Sequence, residues 1–376
     1  MIEPVYLDYN ATAPLCPEAL AAMTAALAVT GNASSPHGFG RRARRLVEDA
    51  REQVASFVGA RPEQLVFTGG GTEANNQALR AHGRPRVLVS AGEHASVLQA
   101  VPEVVRVPLR RDGVVSLAKL ASLLAGDTAP AIVSLQLANN ETGVIQPVAE
   151  AAALAREFGA LVHCDAVQAA GKIPVDFALL GVDLMSLSAH KLGGPQGIGA
   201  LVVADDVALQ PFLLGGGQER GRRAGTENVA AIAGFGAAAA VVRQTLAHLE
   251  ARRDAFEVEL RGLAPSAVIF GAEAPRLPNT TCLALPGLTS ESQLMALDLA
   301  GIAVSSGSAC SSGKVAPSHV LGAMGASTEE AKAALRISTG WASGDSDYAR
   351  FLEAWRPLAQ RFPVTGSAVA KGAVTA

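Results

Sequence analysis

Short apolar runs alternate with helical stretches through the first half of this chain. Runs of this kind cover residues 65–68, 87–90, 104–109, 131–137, 161–164, 184–188 and 198–203. Apolar runs of this length, bounded by Gly, Pro or polar residues, are typical of buried strands. Their alternation with helical stretches predicts an α/β fold, in which a mostly parallel sheet carries helices on both faces.

The length of 376 residues exceeds what one hydrophobic core usually serves, so we expect two domains. An alanine-rich helix is predicted from about residue 228 to 263, and the later strands are shorter and more scattered. We therefore predict a large domain over residues 15–257 and a smaller α+β domain built from residues 1–14 and 258–362. Residues 363–376 are small and polar, which predicts a frayed tail.

The charge pattern argues against nucleic-acid and membrane partners. The net charge is −3, and charged residues make up 17% of the chain. One basic cluster occurs at residues 41–45, and it is interpreted as a solvated helix face because Glu48 and Glu52 follow within two turns. No apolar stretch is long enough to cross a bilayer. The sequence thus predicts neither membrane association nor direct nucleic-acid binding.

The cysteines indicate a reducing compartment and no metal site. Four are present, without a CxxC pair or a Cys/His framework: Cys16, Cys164, Cys282 and Cys310. The N-terminus also lacks a basic region followed by an apolar run. We expect a cytoplasmic protein without an intrinsic metal ion.

Lys191 stands in a turn between two predicted strands, residues 184–188 and 198–203. It is one of only six lysines, against twenty-five arginines. A lysine beside the core can lose its proton, which an arginine cannot do. A neutral amine in such a place is a Schiff-base nucleophile for a carbonyl group, most commonly that of pyridoxal phosphate.

Polar residues follow the predicted strands at their carboxyl ends, where open α/β sheets bind ligands. Asp165 follows the strand at 161–164 and could pair with a protonated pyridine nitrogen. The Gly71-Thr72 pair opens a helix and could bind phosphate, or it could simply form a turn. The other polar residues at strand ends are Glu93, His94, Asn139, Asn140, Glu141, Gln168, Ser188 and His190. Together they predict a ligand site.

Eight motifs resemble those of the cysteine desulfurases, which are class V, fold-type I pyridoxal-phosphate enzymes. They are Tyr6-Leu-Asp-Tyr-Asn-Ala-Thr12, Gly70-Gly-Thr-Glu-Ala-Asn75, Glu93-His94, Asn139-Asn-Glu-Thr-Gly143, His163-Cys-Asp-Ala-Val-Gln168, Ser188-Ala-His-Lys191, Gly221-Arg-Arg-Ala-Gly-Thr226 and Ser305-Ser-Gly-Ser-Ala-Cys310. The last motif is similar to that of the NifS/IscS-like group. The resemblance implies a large domain with a mostly parallel, seven-stranded type of sheet and a smaller α+β domain.

The resemblance also implies roles for single residues. Lys191 would hold the cofactor covalently and move protons, His94 would stack on its ring, Asp165 would pair with its nitrogen and Gln168 with its phenolic oxygen. The phosphate would be bound by Gly71, Thr72, Ser188 and His190, joined by Thr226 of the partner subunit in a homodimer. The substrate, L-cysteine, would be held by Asn140, Arg336 and Asn10.

Cys310 would be the nucleophile that takes the sulfur as a persulfide and leaves alanine. Read without the family, a cysteine in a Ser/Gly loop is also more typical of a reactive thiol than of a core residue. The sulfur acceptor stays open: an iron–sulfur scaffold, which would allow a transient iron–sulfur contact at Cys310, a tRNA thiolation relay or a DNA-modifying partner. A selenocysteine lyase and a class V aminotransferase are the alternative activities.

Overall fold

Seven strands form one sheet in the computed structural model, which describes residues 4–242, 248–307 and 317–361. They are β2 (Leu65–Thr68), β3 (Arg86–Ser90), β4 (Val105–Val107), β5 (Ala131–Gln136), β6 (Leu161–Asp165), β7 (Leu184–Ser188) and β8 (Gly199–Val203). Their order is β2-β8-β7-β6-β5-β3-β4. The five strands from β7 to β4 are parallel, whereas β8 runs antiparallel to both β7 and β2. The predicted mostly parallel sheet is confirmed.

Both faces of this sheet are covered by helices, as the continuous apolar runs predict. The helices of this part are α1 (Pro17–Leu27), α2 (Gly38–Phe57), α3 (Gly71–Arg80), α4 (Ala95–Leu98), α5 (Leu117–Ala125), α6 (Val148–Glu157), α7 (Phe177–Leu180) and α8 (Val229–Val241). Phe67 packs in one core with α2 and α8, while its neighbour Val66 packs in the opposite core with α3. Successive strand residues point to opposite faces, so each strand supplies both cores.

A second group of elements follows along the chain. It contains α9 (Leu249–Leu263), β9 (Val268–Ile269), β10 (Thr280–Ala284), α10 (Ser290–Leu299), β11 (Ile302–Ala303), β12 (Ser305–Ser306), α11 (His319–Ala323), α12 (Thr328–Ala333), β13 (Ala334–Ser338) and α13 (Asp345–Gln360). Strands β12-β13-β10-β9 form an antiparallel sheet. Phe256, Phe351 and Trp355 are buried in its core.

The N-terminal strand β1 (Val5–Tyr6) pairs with β11, with Val5 opposite Ile302. The first residues therefore lie with the C-terminal elements rather than with the start of the large sheet. The domain boundaries at residues 14/15 and 257/258 stay a prediction, and the tail 363–376 lies outside the described residues.

The structure differs from the sequence prediction in one helix start, one additional helix and one helix that is divided in two. Helix α2 begins at Gly38 rather than Arg41, because the side chain of His37 caps it by accepting from the Gly40 N–H. Helix α12 was not predicted, although Ser327 and Glu330 form a capping box that marks its start. One helix was predicted over 228–263; α8 and α9 lie there instead, with residues 243–247 outside the described ranges.

No helix among the described residues is long and apolar enough to cross a membrane. No group of three or more His, Cys, Asp or Glu side chains in the same residues could hold a metal ion.

Candidate active site

Lys191 lies just past the carboxyl end of β7, in the connection to its antiparallel neighbour β8. A connection between such strands can be short and stay at one edge of the sheet, whereas parallel neighbours need a long crossover. The connection begins with a single 3-10 turn, Ala189–Lys191. The Lys191 Nζ donates to the backbone oxygens of Asn10 (2.7 Å) and Ala11 (2.8 Å). The amine is thus held beside the N-terminal segment, at the edge of the sheet where ligands bind.

A cavity of about 310 Å³ opens at this edge and gathers eleven of the thirteen predicted site residues. They are Asn10, Gly71, Thr72, His94, Asn140, Asp165, Gln168, Ser188, His190, Lys191 and Arg336. Six further residues line the cavity: Ala11, Asn75, Ser96, Gln136, Val167 and Ser305. These side chains come from segments more than three hundred residues apart, so the tertiary fold builds one site from them.

Asp165, the last residue of β6, is held by two hydrogen bonds. Its Oδ2 accepts from Asn75 Nδ2 (2.7 Å), and its Oδ1 accepts from the Val167 N–H (3.0 Å). Asn75 is buried on α3 and also donates to Ser96 Oγ (2.9 Å). The carboxylate therefore has a fixed orientation at the bottom of the cavity, as a partner for a cationic ring nitrogen needs.

His94 is oriented by the same network. Its Nδ1 accepts from the Ser96 N–H (3.1 Å) and lies 2.8 Å from Ser96 Oγ. Burial lowers the pKa of His94, although Asp165 opposes that shift. The neutral ring therefore carries its proton on Nε2, and an uncharged imidazole can stack against a flat heteroaromatic ring.

Glu93 is a completely buried carboxyl group beside Gln136, which lines the cavity. Its Oε1 accepts from the Gln136 N–H (2.7 Å), and its Oε2 has no partner in the described ranges. Burial, with repulsion from Asp165 as the second cause, raises the pKa of Glu93 well above its ordinary value. The uncharged acid is therefore favoured for Glu93.

The N-terminus of α3 has a geometry that suits an anion. A second cavity, of about 500 Å³, lies there and is lined by Gly71, Thr72, Ser188 and His190. The first N–H groups of a helix have no partner within it. A Cβ at Gly71 would lie 2.8 Å from Val167 Cγ2, so a side chain at this position would force the loop after β6 to shift. Phosphate binding by Gly71 and Thr72 stays a prediction.

His190 contributes a neutral donor to this edge. Burial lowers its pKa to about 4, and repulsion from Lys191 and Lys172 adds to the shift. Its Nδ1 lies 3.1 Å from Thr12 Oγ1. At neutral pH the ring is uncharged, so it can bind an anion only through a hydrogen bond.

Asn10, predicted to bind substrate, is a buried residue that hydrogen-bonds to several residues around the cavity. Its Nδ2 donates to Asn140 O (3.1 Å) and Thr280 Oγ1 (2.9 Å), and its Oδ1 accepts from Lys172 and Asn279. Its amide atoms are thus already bonded to protein. This arrangement favours a role in which the Asn10 side chain holds neighbouring residues in place, rather than one in which it contacts a substrate directly.

Arg336 enters the cavity from β13 and is almost completely buried. Its Nη2 pairs with Asp8 Oδ1 (2.6 Å), its Nη1 donates to Asn140 O (3.2 Å), and its Nε has no partner among the described residues. Asn140 and Arg336 therefore meet in one corner. A buried guanidinium with spare donor capacity suits a carboxylate ligand.

Two predicted residues do not join this group. Thr226 lines a separate cavity of about 240 Å³ with Gly69 and Gly197, next to the α3 edge. Cys310 lies outside the described residues, as does most of the loop predicted to carry it. The last described residues before that loop lead from Ser305, which lines the main cavity.

Sequence reasoning missed four polar residues that organise the site: Asp8, Asn75, Ser96 and Lys172. Asp8 and Asn75 lie within motifs that the sequence displays, so a signal for them existed. Ser96 and Lys172 carried none, because a serine in a helix and a lysine in a loop are ordinary surface residues until the fold buries them.

The groups around the cavity match the parts of pyridoxal phosphate. Lys191 offers an amine for its aldehyde, Asp165 a carboxylate for its ring nitrogen, and His94 a flat ring for its face. Gln168 offers an amide for its phenolic oxygen, and the start of α3 offers N–H donors for its phosphate. The residues therefore fit this cofactor.

Comparisons with known proteins agree with this geometry. The chain matches the family described as aminotransferase class-V over residues 5–351. It is 40% identical over 370 residues to the IscS-like cysteine desulfurase of Mycobacterium tuberculosis (strain ATCC 25618 / H37Rv), a match that covers 93% of this chain and 94% of the relative.

Solved structures give the same result. The NifS-like protein of Rickettsia africae ESF-5 superposes with a TM-score of 0.89 at 34% identity, over 95% of this chain and all of that one. A structure of SspA in complex with cysteine superposes with a TM-score of 0.78 at 29% identity, over 89% of this chain and 99% of that one.

Proposed function

The chain belongs to the cysteine desulfurases of the class-V aminotransferase family, and on this premise we propose that it moves the sulfur of L-cysteine onto Cys310, with L-alanine as the other product. Pyridoxal phosphate is the proposed cofactor. The observation that carries the proposal is the meeting of Lys191, Asp165 and Arg336 in one cavity. These three side chains offer an amine, a carboxylate for the ring and a cation for the carboxylate of an amino acid.

Lys191 is proposed to hold the cofactor and to move the proton of the substrate α-carbon. When bound, pyridoxal phosphate supplies an electron sink for the bonds at that carbon. Asp165 serves that sink by favouring the protonated ring nitrogen, since an opposite charge nearby stabilises the cationic form. Lys191 lines the same cavity as Asp165 and Arg336, from its place in the β7–β8 connection.

Arg336 is proposed to bind the substrate carboxylate together with Asn140. A guanidinium offers two parallel N–H donors, which fixes the direction as well as the place of a carboxylate. Ser305, five residues before Cys310 in the sequence, lines the same cavity. The relative solved with bound cysteine makes cysteine a suitable substrate to propose for this chain.

Sulfur transfer is proposed to proceed by attack of the Cys310 thiolate on the substrate sulfur. An S–S bond forms between the two sulfurs while the Cβ–S bond of the substrate breaks. The electron pair of that bond stays on Cβ, which takes up a proton to become the methyl group of alanine. Cysteine and a thiol thus give alanine and a persulfide, without an external oxidant or reductant.

The persulfide is proposed to pass to a thiol of an acceptor protein by exchange, as thiolate attack on a sulfur–sulfur bond allows. An iron–sulfur scaffold is one such acceptor. A homodimer is also proposed: Thr226 lies in a neighbouring cavity, and Thr226 of the partner subunit would complete the phosphate site. The protein is proposed to act in the cytoplasm.

The proposal is tested by incubating the purified holoprotein with L-cysteine and measuring alanine, sulfide and the mass of the Cys310 peptide. Alanine and a mass increase of one sulfur on Cys310 are expected. Cys310→Ser should bind cysteine but form no persulfide. Selenocysteine and a keto acid serve as competitors; preferred turnover of either would replace the proposal with a selenocysteine lyase or an aminotransferase.

A further inference from the structure

Lys172 is a buried lysine whose amine contacts two side-chain amides of the site. It is 6% exposed. Its Nζ donates to Asn10 Oδ1 at 2.7 Å and to Gln168 Oε1 over a shorter distance. Both acceptors are uncharged, and no carboxylate pairs with Lys172 within the described part of the chain. A lysine buried without a counter-ion is unusual, because burial of an unpaired charge is expensive.

Backbone hydrogen bonds hold Lys172 in this place. In the loop after β6, the Ala170 N–H donates to Ala166 O (2.9 Å) and the Lys172 N–H donates to Ala169 O (2.9 Å). Gly171 then takes a φ of +83°, and a Cβ there would lie 2.7 Å from Leu192 Cβ. Only glycine therefore lets this loop pack against the residue that follows Lys191.

The surroundings of Lys172 disfavour a positive charge. Burial lowers the pKa of Lys172 well below its ordinary value, and repulsion from Lys191 and Arg336 adds to the shift. Both groups that contact the amine are oxygen acceptors, and the amine donates to them in either protonation state.

The direction of these bonds decides which way the Gln168 amide points. Since the amine donates to Gln168 Oε1, the Gln168 Nε2 must face the opposite side, where it donates to Asn10 O (2.9 Å). That oxygen also accepts from Lys191 Nζ. The second N–H of Gln168 has no partner among the described residues, and it is available to a ligand in the cavity that Gln168 lines. A flipped amide would present an oxygen to the ligand instead.

We propose that Lys172 is a positioning residue of this site, which fixes the amides of Gln168 and Asn10 so that Gln168 donates an N–H to the phenolic oxygen of the bound cofactor. The inference rests on the proposed function for the identity of the cofactor. It assigns no contact between Lys172 and substrate. Lys172 acts through Gln168, and this coupling is what an experiment can measure.

The test is a double-mutant cycle on pyridoxal-phosphate binding. Cofactor-free protein is titrated with pyridoxal phosphate, and the dissociation constant and the pH dependence of the absorption band are measured for wild type, Lys172→Met, Gln168→Ala and the double variant. K172M should raise the dissociation constant about tenfold, or roughly 1.4 kcal/mol, and move the pH midpoint of the band. The double variant should resemble Q168A alone.

Lys119→Met, at an exposed lysine, is the control and should behave as wild type. Additive losses in the double variant, or an unchanged constant and band in K172M, would overturn the inference. If K172M does not fold, the same cycle is run with Lys172→Gln, under the same criteria. Wild type that binds the cofactor but makes no alanine from cysteine would refute the proposed function while leaving this binding cycle interpretable.

Discussion

Arg336, which lines the main cavity, forms an ion pair with Asp8, with 2.6 Å between Nη2 and Oδ1. Asp8 also accepts from Ser305 Oγ (2.8 Å), and Ser305 lies opposite Arg336 in the β12–β13 pair. The positive charge of Arg336, which is proposed to bind the substrate carboxylate, is therefore already paired with the carboxylate of Asp8. Substrate binding places a second negative group beside the same guanidinium.

Arg336→Lys should raise the KM for cysteine by roughly ten- to a hundredfold, because the charge stays but the two-point geometry is lost. The absorption band of the bound cofactor should not change. Steady-state kinetics with a parallel spectrum check this. An unaltered KM would remove Arg336 from the substrate site.

Asp8→Asn should lower the KM for cysteine by roughly three- to tenfold, because the variant removes a carboxylate that competes for Arg336. The cofactor-free protein should melt at a lower temperature, since a buried guanidinium loses its counter-ion. Kinetics and thermal melting are the two measurements. A raised KM would show that Asp8 orients Arg336 rather than competing with the substrate.

Lys191→Ala should lack the covalent attachment of the cofactor and the yellow absorbance that depends on it. Lys172 is a buried amine near the half-buried Lys191, so the readout should identify the modified lysine: borohydride reduction followed by peptide mass analysis. The adduct is expected on Lys191 in wild type and in Lys172→Met, and on neither lysine in Lys191→Ala. An adduct on Lys172 in that variant would contradict the assignment of Lys191 as the one attachment site.

Asp165→Ala should bind the cofactor about tenfold more weakly or worse and lower kcat, since the ring nitrogen loses the charge that favours its protonation. Asn75→Ala serves as the matched control, because it removes the amide that holds Asp165 but leaves the carboxylate. Its effect should be smaller. Equal turnover of D165A and wild type would point to another partner for the ring.

In the cofactor-free protein, the free energy of unfolding should fall less between pH 5 and pH 8 in Glu93→Gln than in wild type. The pKa of Glu93 is raised by burial above its ordinary value of 4.5. The folded state therefore keeps a proton that the unfolded state loses, and stability falls as the pH rises from 4.5 toward the folded-state pKa. Urea unfolding at pH 5 and pH 8 measures the difference, with exposed Glu63→Gln as control. An equal difference in E93Q and wild type would assign the pH dependence to other groups.

Local sequence patterns were sufficient to predict much of the fold of this protein. The buried runs at β2, β5 and β7 need no partner to be recognised, because a strand covered on both faces is apolar throughout. The motif residues at strand ends also carry local signals, and the carboxyl-edge rule places Asp165 and Lys191 together before any contact is known. The family, now supported by relatives over nearly the whole chain, followed from the same motifs.

Some short-range features could not be predicted from local sequence patterns. The start of α2 depended on the side chain of His37, and the short strands β11 and β12 have two residues each, too few to show a period.

The amino-acid sequence by itself determined which residues could do chemistry, because Lys191, Asp165 and Arg336 have the required groups at recognisable places. The tertiary structure alone decided how those groups are held. Asp8 meets Arg336 across 328 positions and Lys172 meets Asn10 across 162. Burial and charge at such meetings depend on packing, so the pairing of Arg336 and the lowered pKa of Lys172 are properties of the folded chain.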